Sequence, residues 1–118
     1  MLMRTRNEAV AACLEQPFSY RDCPFHDENF TALRHQENRK IFALVFEREE
    51  KIWINLKADP MYAQLWQEIY PSVLPGYHMN KKHWISVILD GRMEDADIRR
   101  LIGDSFRLTA PKQKPGRE

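Results

Sequence analysis

The chain has 118 residues, of which 43% are hydrophobic and 30% are charged, and its 18 basic and 17 acidic side chains give a formal net charge of +1. This length and composition are typical of one globular domain with a single core, and they exclude a chain that is disordered by default. A charge so close to zero excludes strong general attraction to polyanions, so any nucleic-acid affinity has to come from a local patch.

The first segment predicts a helix. Thr5 followed three residues later by Glu8 is a capping-box pattern, and apolar residues then share one stripe until Pro17. This segment lacks the apolar run of a signal peptide, and no later stretch is long enough to span a bilayer, so we expect a cytoplasmic protein without membrane contact. Cys13 and Cys23 form no CxxC pair, and we expect both to be reduced thiols.

A change of period from helical to two marks the next part of the chain. Residues 18–29 have the composition of an irregular entry segment, and three short runs rich in aromatic and β-branched residues follow: FTALRH, KIFALVFE and KIWINLK. They predict three antiparallel strands joined by tight turns. In the third run Trp53, Asn55 and Lys57 share one face, which the alternation predicts to be the wet side of the strand.

Two further helices are predicted. Asp59 and Pro60 make a helix start, and four large apolar residues then follow the i, i+3, i+4, i+7 spacing: Tyr62, Leu65, Trp66 and Ile69. The last helix begins near Glu94, and its buried stripe is Ile98, Leu101, Ile102 and Phe106. The proline-containing sequence APKQKPGRE has no apolar period, so we predict a single domain at 1–108 and a disordered tail at 109–118.

The stretch PGYHMNKKHWISVILDG, residues 75–91, lies between these two helices. If Asn80 and Lys81 form a two-residue turn, a short strand at 77–79 pairs with a strand at 82–89, and the two histidines of the stretch lie opposite each other. The element order is then α-β-β-β-α-β-β-α. Segregated helices and a mostly antiparallel sheet predict an α+β two-layer sandwich.

Four short motifs carry a resemblance to a known family. KADP at 57–60, PGYHMNKKHW at 75–84, LDG at 89–91 and DSF at 104–106 together resemble the MmcQ/YjbR family of small bacterial proteins. The resemblance implies a fold similar to that of secretion-chaperone-like two-layer proteins. It also implies DNA binding, because the family's sheet is similar to the double-wing DNA-binding domain of a phage transcription activator. It implies no catalytic residues.

Basic residues interleaved with aromatic ones favour nucleic-acid binding near this stretch. Lysines can contact phosphates, aromatic rings can stack on bases, and histidine and asparagine can add hydrogen bonds. The candidate nucleic-acid-binding residues are Lys57, Tyr77, His78, Asn80, Lys81, Lys82, His83 and Trp84. The near-zero net charge predicts weak, salt-sensitive binding to a few phosphates.

Three other interpretations stay open at this point. The same side chains can be structural, with solvated lysines at a turn and rings that close one end of the core. An exposed strand edge or a groove can receive a partner peptide, as in a protein-interaction or chaperone-like module. His78 and His83 can bind a metal or act in catalysis, but no third ligand or nucleophile motif accompanies them. We therefore predict a monomeric, non-enzymatic binding domain without metal or cofactor, with DNA as its first candidate partner and a protein as its second.

Overall fold

In the part of the chain that the structure describes, a six-stranded antiparallel sheet forms one layer, and three helices pack against it. The computed structural model describes residues 2–112. The elements in chain order are α1 (Arg6–Leu14), β1 (Ser19–Asp22), β2 (Thr31–His35), β3 (Ile41–Arg48), β4 (Lys51–Lys57), α2 (Pro60–Ile69), β5 (Val73–Pro75), β6 (Trp84–Ile88) and α3 (Asp95–Thr109). The strands lie in the order β1-β2-β3-β4-β6-β5. The predicted α+β fold class is therefore confirmed, with one strand more than the sequence predicts.

The additional strand is β1, which lies in the segment predicted to be irregular. It pairs with β2 so that Tyr20 is opposite Arg34 and Asp22 is opposite Ala32. Its sequence SYRD has no alternation of apolar and polar residues, and none of its side chains is fully buried. The strand forms because its backbone groups complete the hydrogen bonds at the edge of β2, a requirement that hydrophobic periodicity does not encode.

The main core lies between the sheet and the helices. Its largest fully buried side chains are Leu33, Phe42, Ile54, Leu56, Ile85, Leu89, Ile98 and Ile102. Burial of each contributes roughly 1.5–3 kcal/mol, so this cluster is the main source of stability. Helix α3 begins after Glu94 and buries its predicted stripe, with Ile98, Leu101 and Ile102 at most 2% exposed. None of the helices in residues 2–112 is long and apolar enough to cross a bilayer.

Ser105 of α3 connects the helix to two strands of the sheet. Its hydroxyl donates to the carbonyl oxygen of Phe42 on β3 at 2.5 Å and accepts from the backbone N–H of Lys57 on β4 at 2.9 Å. The strands β3 and β4 are paired from Ala43 and Leu56 onward, so these two backbone groups lie just beyond the ladder. The buried hydroxyl therefore satisfies two backbone groups that the sheet leaves without a partner.

Helix α2 is present as predicted, but it buries a different face from the one that its spacing favours. Ala63, Trp66 and Tyr70 pack against the main core. The other large apolar side chains are exposed: Met61 by 68%, Tyr62 by 59%, Leu65 by 44% and Ile69 by 63%. Two apolar stripes overlap on this helix, and packing against β5 determines which of them is buried.

Helix α3 extends into the segment predicted to be a disordered tail. Thr109 is its last residue and is only 5% exposed. The Thr109 hydroxyl donates to the carbonyl oxygen of Ser105 at 2.7 Å, and its oxygen lies 2.8 Å from Nε2 of His35. The prediction of disorder is therefore wrong at Thr109, because a contact distant in sequence fixes this residue. The remainder of the predicted tail, at 113–118, lies outside the described residues.

His35 is a buried titratable group between β2 and α3. Its ring stacks on Phe106 with centroids 4.1 Å apart and meets the edge of Phe42 at 5.4 Å. Burial lowers the pKa of His35 below its ordinary value, because the charged imidazolium loses its hydration in this site. The folded protein therefore holds His35 neutral at a pH where the unfolded chain already binds a proton.

We expect stability to fall when the pH is lowered through a window that begins near the ordinary pKa of histidine, about 6.5, and extends below it. The unfolded state takes up the His35 proton near its ordinary pKa, so the contribution is complete above that value and is lost below it. Urea unfolding at a series of pH values measures this dependence. The variant His35→Gln should flatten the profile in this window, whereas His26→Asn at an exposed site should retain it. An equally steep profile in His35→Gln would contradict the assignment.

Candidate nucleic-acid interface

A second apolar cluster lies on the face of the sheet opposite the helices. Ala32, Leu44, Phe46 and Trp53 are buried there, and Tyr77 and Ile88 pack against them. The sequence predicts a wet face at this position, and that prediction is wrong for Trp53 and Asn55, which are 5% and 1% exposed. The loop at 76–83, which we call the cover loop, lies over this part of the sheet.

A ring of three hydrogen bonds fixes the cover loop to the sheet. The backbone N–H of Tyr77 donates to the Ser86 hydroxyl at 2.8 Å, which donates to Oδ1 of Asn55 at 2.5 Å. The Asn55 amide then donates to the carbonyl oxygen of Tyr77 at 2.9 Å. Asn55 and Ser86 are directly opposite each other on β4 and β6, so the strand register creates this polar pair. Each polar side-chain atom of the ring has a hydrogen-bond partner, so burying the ring costs little free energy.

The predicted tight hairpin at Asn80 and Lys81 is wrong. The strand before β6 is β5, at Val73–Pro75, and its last residue Pro75 pairs with Ile85. The N–H of Gly76 still bonds the carbonyl oxygen of Trp84 at 2.9 Å, and the chain then leaves the ladder. His78 and His83 therefore lie in the cover loop and not opposite each other on adjacent strands, so the proposed cross-strand histidine pair does not exist.

The side chain of Asn80 explains why the turn is not a two-residue hairpin. Its Oδ1 accepts from the N–H of Lys82 at 2.9 Å, while its carbonyl oxygen accepts from the N–H groups of His83 and Trp84 at 3.2 and 2.9 Å. These contacts form one helix-like turn, for which asparagine is a favourable first residue. Lys81 folds back, and its Nζ donates to the carbonyl oxygen of Gly76 at 3.0 Å. Asn80 thus has a structural role in the loop.

Aromatic and cationic groups stack at the centre of the cover loop. The Tyr77 ring lies 5.9 Å from both Phe46 and Trp53, and the centroid of the exposed His78 ring lies 4.0 Å from it with the rings tilted by 51°. The Arg48 guanidinium lies 4.3 Å from the Tyr77 centroid and 4.8 Å from that of Trp53, a cation–π arrangement. The adjacent Tyr77 side chain raises the pKa of Arg48, which stays a cation. Tyr77 is half-buried and His78 is exposed, so the histidine ring forms the outer surface of the stack.

Cations on this side of the sheet include two at strand ends and two in the cover loop. Arg48 is at the end of β3, Lys57 is at the end of β4, and Lys81 and Lys82 are in the cover loop. Lys57 shares its face with Asn55 and Trp53 and lies opposite Trp84 on β6. The N–H of Ala58 donates to the carbonyl oxygen of His83 at 2.9 Å, which holds the loop next to Lys57.

The structure brings the eight predicted residues together, but not with equal exposure. Lys82, His83, His78, Asn80 and Lys81 are exposed, whereas Lys57, Tyr77 and Trp84 are half-buried. A Cβ atom added at Gly76 would lie 2.8 Å from the Trp84 Cβ, so the start of the cover loop lies directly beside the Trp84 backbone. Trp53 is part of the packing, whereas Trp84 is half-buried.

Sequence reasoning missed Arg48, and it assigned no role to Ser86. Both follow from strand register, since Arg48 lies opposite Lys51 and Ser86 lies opposite Asn55. The only available signal was the alternation of Trp84, Ser86 and Ile88 along β6, which places Ser86 on the face away from the helices.

Cys13 lies on α1 and is buried in the main core, on the helix-covered face of the sheet. Burial raises the pKa of the Cys13 thiol to about 12, so it is not a thiolate at neutral pH. Among residues 2–112, no three histidine, cysteine, aspartate or glutamate side chains come together in a way that could hold a metal ion.

A six-stranded antiparallel sheet that carries helices on one face and a cover loop on the other defines a small α+β domain. The model of the YjbR family matches residues 14–108, and the chain therefore belongs to the YjbR family. The predicted resemblance is thus confirmed.

Individual relatives agree with this assignment. The chain is 47% identical over 100 residues to the uncharacterized protein YbdF of Escherichia coli O157:H7, covering 85% of this chain and 80% of that protein. It is 30% identical over 103 residues to the uncharacterized protein YjbR of Escherichia coli K12, covering 87% and 85% respectively. The crystal structure of the Deinococcus radiodurans protein DR2400 is similar with a TM-score of 0.80 and 30% identity, covering 90% of this chain and 78% of that one.

Proposed function

We propose that this protein is a non-enzymatic domain that binds nucleic acid weakly through the helix-free side of its sheet. The observation that supports this function is the position of Arg48, Lys57, Lys81 and Lys82 on one side of the molecule, around the Tyr77 and His78 rings. Cations beside an aromatic surface are the combination that single strands and phosphate backbones require.

The dimensions limit binding to a short segment. Strand β4 has seven residues, so Arg48 and Lys57 are separated by roughly 20 Å along the sheet at about 3.3 Å per residue. Lys81 and Lys82 lie in the cover loop, whose His83 bonds the backbone next to Lys57. Four cations neutralise only a few phosphates, so the affinity should be low and should decrease steeply with salt.

A titration of the ¹⁵N-labelled protein with duplex and single-stranded DNA at low and high salt tests this proposal. At low salt we expect amide shift changes to concentrate at residues 76–84 and Lys57, and to diminish at high salt. If the amide chemical shifts near Lys81 did not change at low salt, the proposal would be wrong.

A pair of double variants tests which side of the molecule binds. Lys81→Gln with Lys82→Gln should reduce the slope of log affinity against log salt by about two, since each neutralised phosphate contributes about 0.9. Arg4→Gln with Arg21→Gln removes the same charge from exposed positions outside the cover loop. An equal loss of affinity in this control would show that only net charge matters.

The alternative of a partner peptide at a sheet edge has less support. The edge strands β1 and β5 have four and three residues, and β5 ends with Pro75. Short edges and edge prolines discourage the addition of another strand.

A further inference from the structure

The exposed face of α2 is a surface that the proposed nucleic-acid interface does not use. Met61, Leu65 and Ile69 are four residues apart and are 68%, 44% and 63% exposed. Side chains at this spacing form one continuous ridge along a helix, and such ridges are the units by which helices pack on each other. We call these three residues the α2 ridge.

A groove beside the ridge enlarges the apolar surface. It lies between α2 and α3 and has a volume of about 400 Å³. Its apolar walls are Tyr62, Trp66, Leu101 and Leu108, and the exposed fractions of Tyr62 and Leu108 are 59% and 45%. In a single chain this apolar surface is exposed to water. Contiguous apolar patches on soluble monomers are usually small, and larger ones mark interaction sites.

The distribution of charge restricts the kind of partner that fits this surface. The groove lining contains two arginines and two aspartates, so it is neutral overall: Arg100, Arg107, Asp59 and Asp104. The single charged residue in α2 is Glu68, near its end. A polyanion or a strongly charged protein finds no complementary field on such a surface. A second copy of the same neutral, apolar surface does match it.

We propose that two copies of this chain associate through their α2 ridges in an isologous dimer, in place of the monomer that the sequence predicts. In an antiparallel pair of α2 helices centred on Leu65, Met61 of one copy lies opposite Ile69 of the other, because these residues are equally distant from the centre. The same arrangement separates the two Glu68 side chains to opposite ends of the pair. Every ridge residue then meets an apolar partner, and the nucleic-acid interface stays free on the other side of each sheet.

Sedimentation velocity on the full chain tests the dimer over about a hundredfold range of concentration, since homodimerisation follows mass action. The mass should rise from 14.1 kDa toward twice that value. A mass of 14.1 kDa at every concentration would overturn the proposal.

The variant Leu65→Glu places two like charges near the two-fold axis. We expect its dimer to be at least about a hundredfold weaker, because facing like charges cost several kcal/mol. The control Leu14→Glu changes a side chain on α1 with a similar exposure of 38% and should dimerise like the parent. Circular dichroism verifies folding, and Ile69→Lys replaces Leu65→Glu if that variant does not fold. A folded ridge variant that still dimerises, or an equal loss in the control, counts against the α2 ridge.

Discussion

Replacing Asn55 by alanine should lower the free energy of unfolding by about 3 kcal/mol, because it removes the acceptor of one buried O–H donor and the donor of one half-buried carbonyl oxygen, at about 1–3 kcal/mol each. These groups are the Ser86 hydroxyl and the Tyr77 carbonyl oxygen, which both bond the Asn55 side chain. Urea unfolding measures the loss. Amide hydrogen exchange should also become faster at Tyr77, whose N–H depends on the same ring.

Two comparisons make the Asn55 experiment specific. Asn7→Ala on the exposed side of α1 should change stability by less than about 0.5 kcal/mol. The combined variant Asn55→Ala with Ser86→Ala should be less damaging than the sum of the two single variants, since both remove members of one network. Strict additivity would show that the two side chains act independently and would refute the hydrogen-bond ring.

Replacing Ser105 by alanine should lower the free energy of unfolding by about 2 kcal/mol. The substitution removes little volume, but it leaves the N–H of Lys57 and the carbonyl oxygen of Phe42 unpaired beside the core. Denaturant unfolding gives the magnitude, and faster exchange of the Lys57 amide identifies the cause.

Ser19→Ala is a suitable control for Ser105→Ala. The Ser19 hydroxyl donates only to the carbonyl oxygen of Gln16 at a half-buried site, so its loss should cost less than about 1 kcal/mol. If Ser105→Ala unfolded like the parent chain, water would have to satisfy the two backbone groups, and the bridging role of Ser105 would be wrong.

Predictions from the sequence are accurate where a feature depends on neighbouring residues, and they fail where it depends on residues distant in the chain. The capping box at Thr5 and Glu8, the start of α2 at Asp59 and the buried stripe of α3 depend on residues less than two turns apart, and all three are present. The cover loop depends on partners distant in sequence. Tyr77 bonds Asn55, which is 22 residues away, and this contact replaces the predicted hairpin.

Helix α2 illustrates the same limit. Its spacing is compatible with either of two buried stripes, and only the packing of Ala63 and Trp66 against the core selects one of them. The selection leaves the α2 ridge exposed, which is the basis for the proposed dimer.

Hydrophobic period, helix caps and short motifs are local properties of the chain, so they were sufficient to predict the fold class, the helices, the three central strands and the family. The sequence also identified the segment that carries the candidate interface. The tertiary structure alone decided that Asn55 and Trp53 are covered, that Arg48 joins the cations, and that His78 and His83 are not cross-strand partners. These outcomes depend on strand register and on which surfaces meet, and both are set by contacts between residues far apart in the chain.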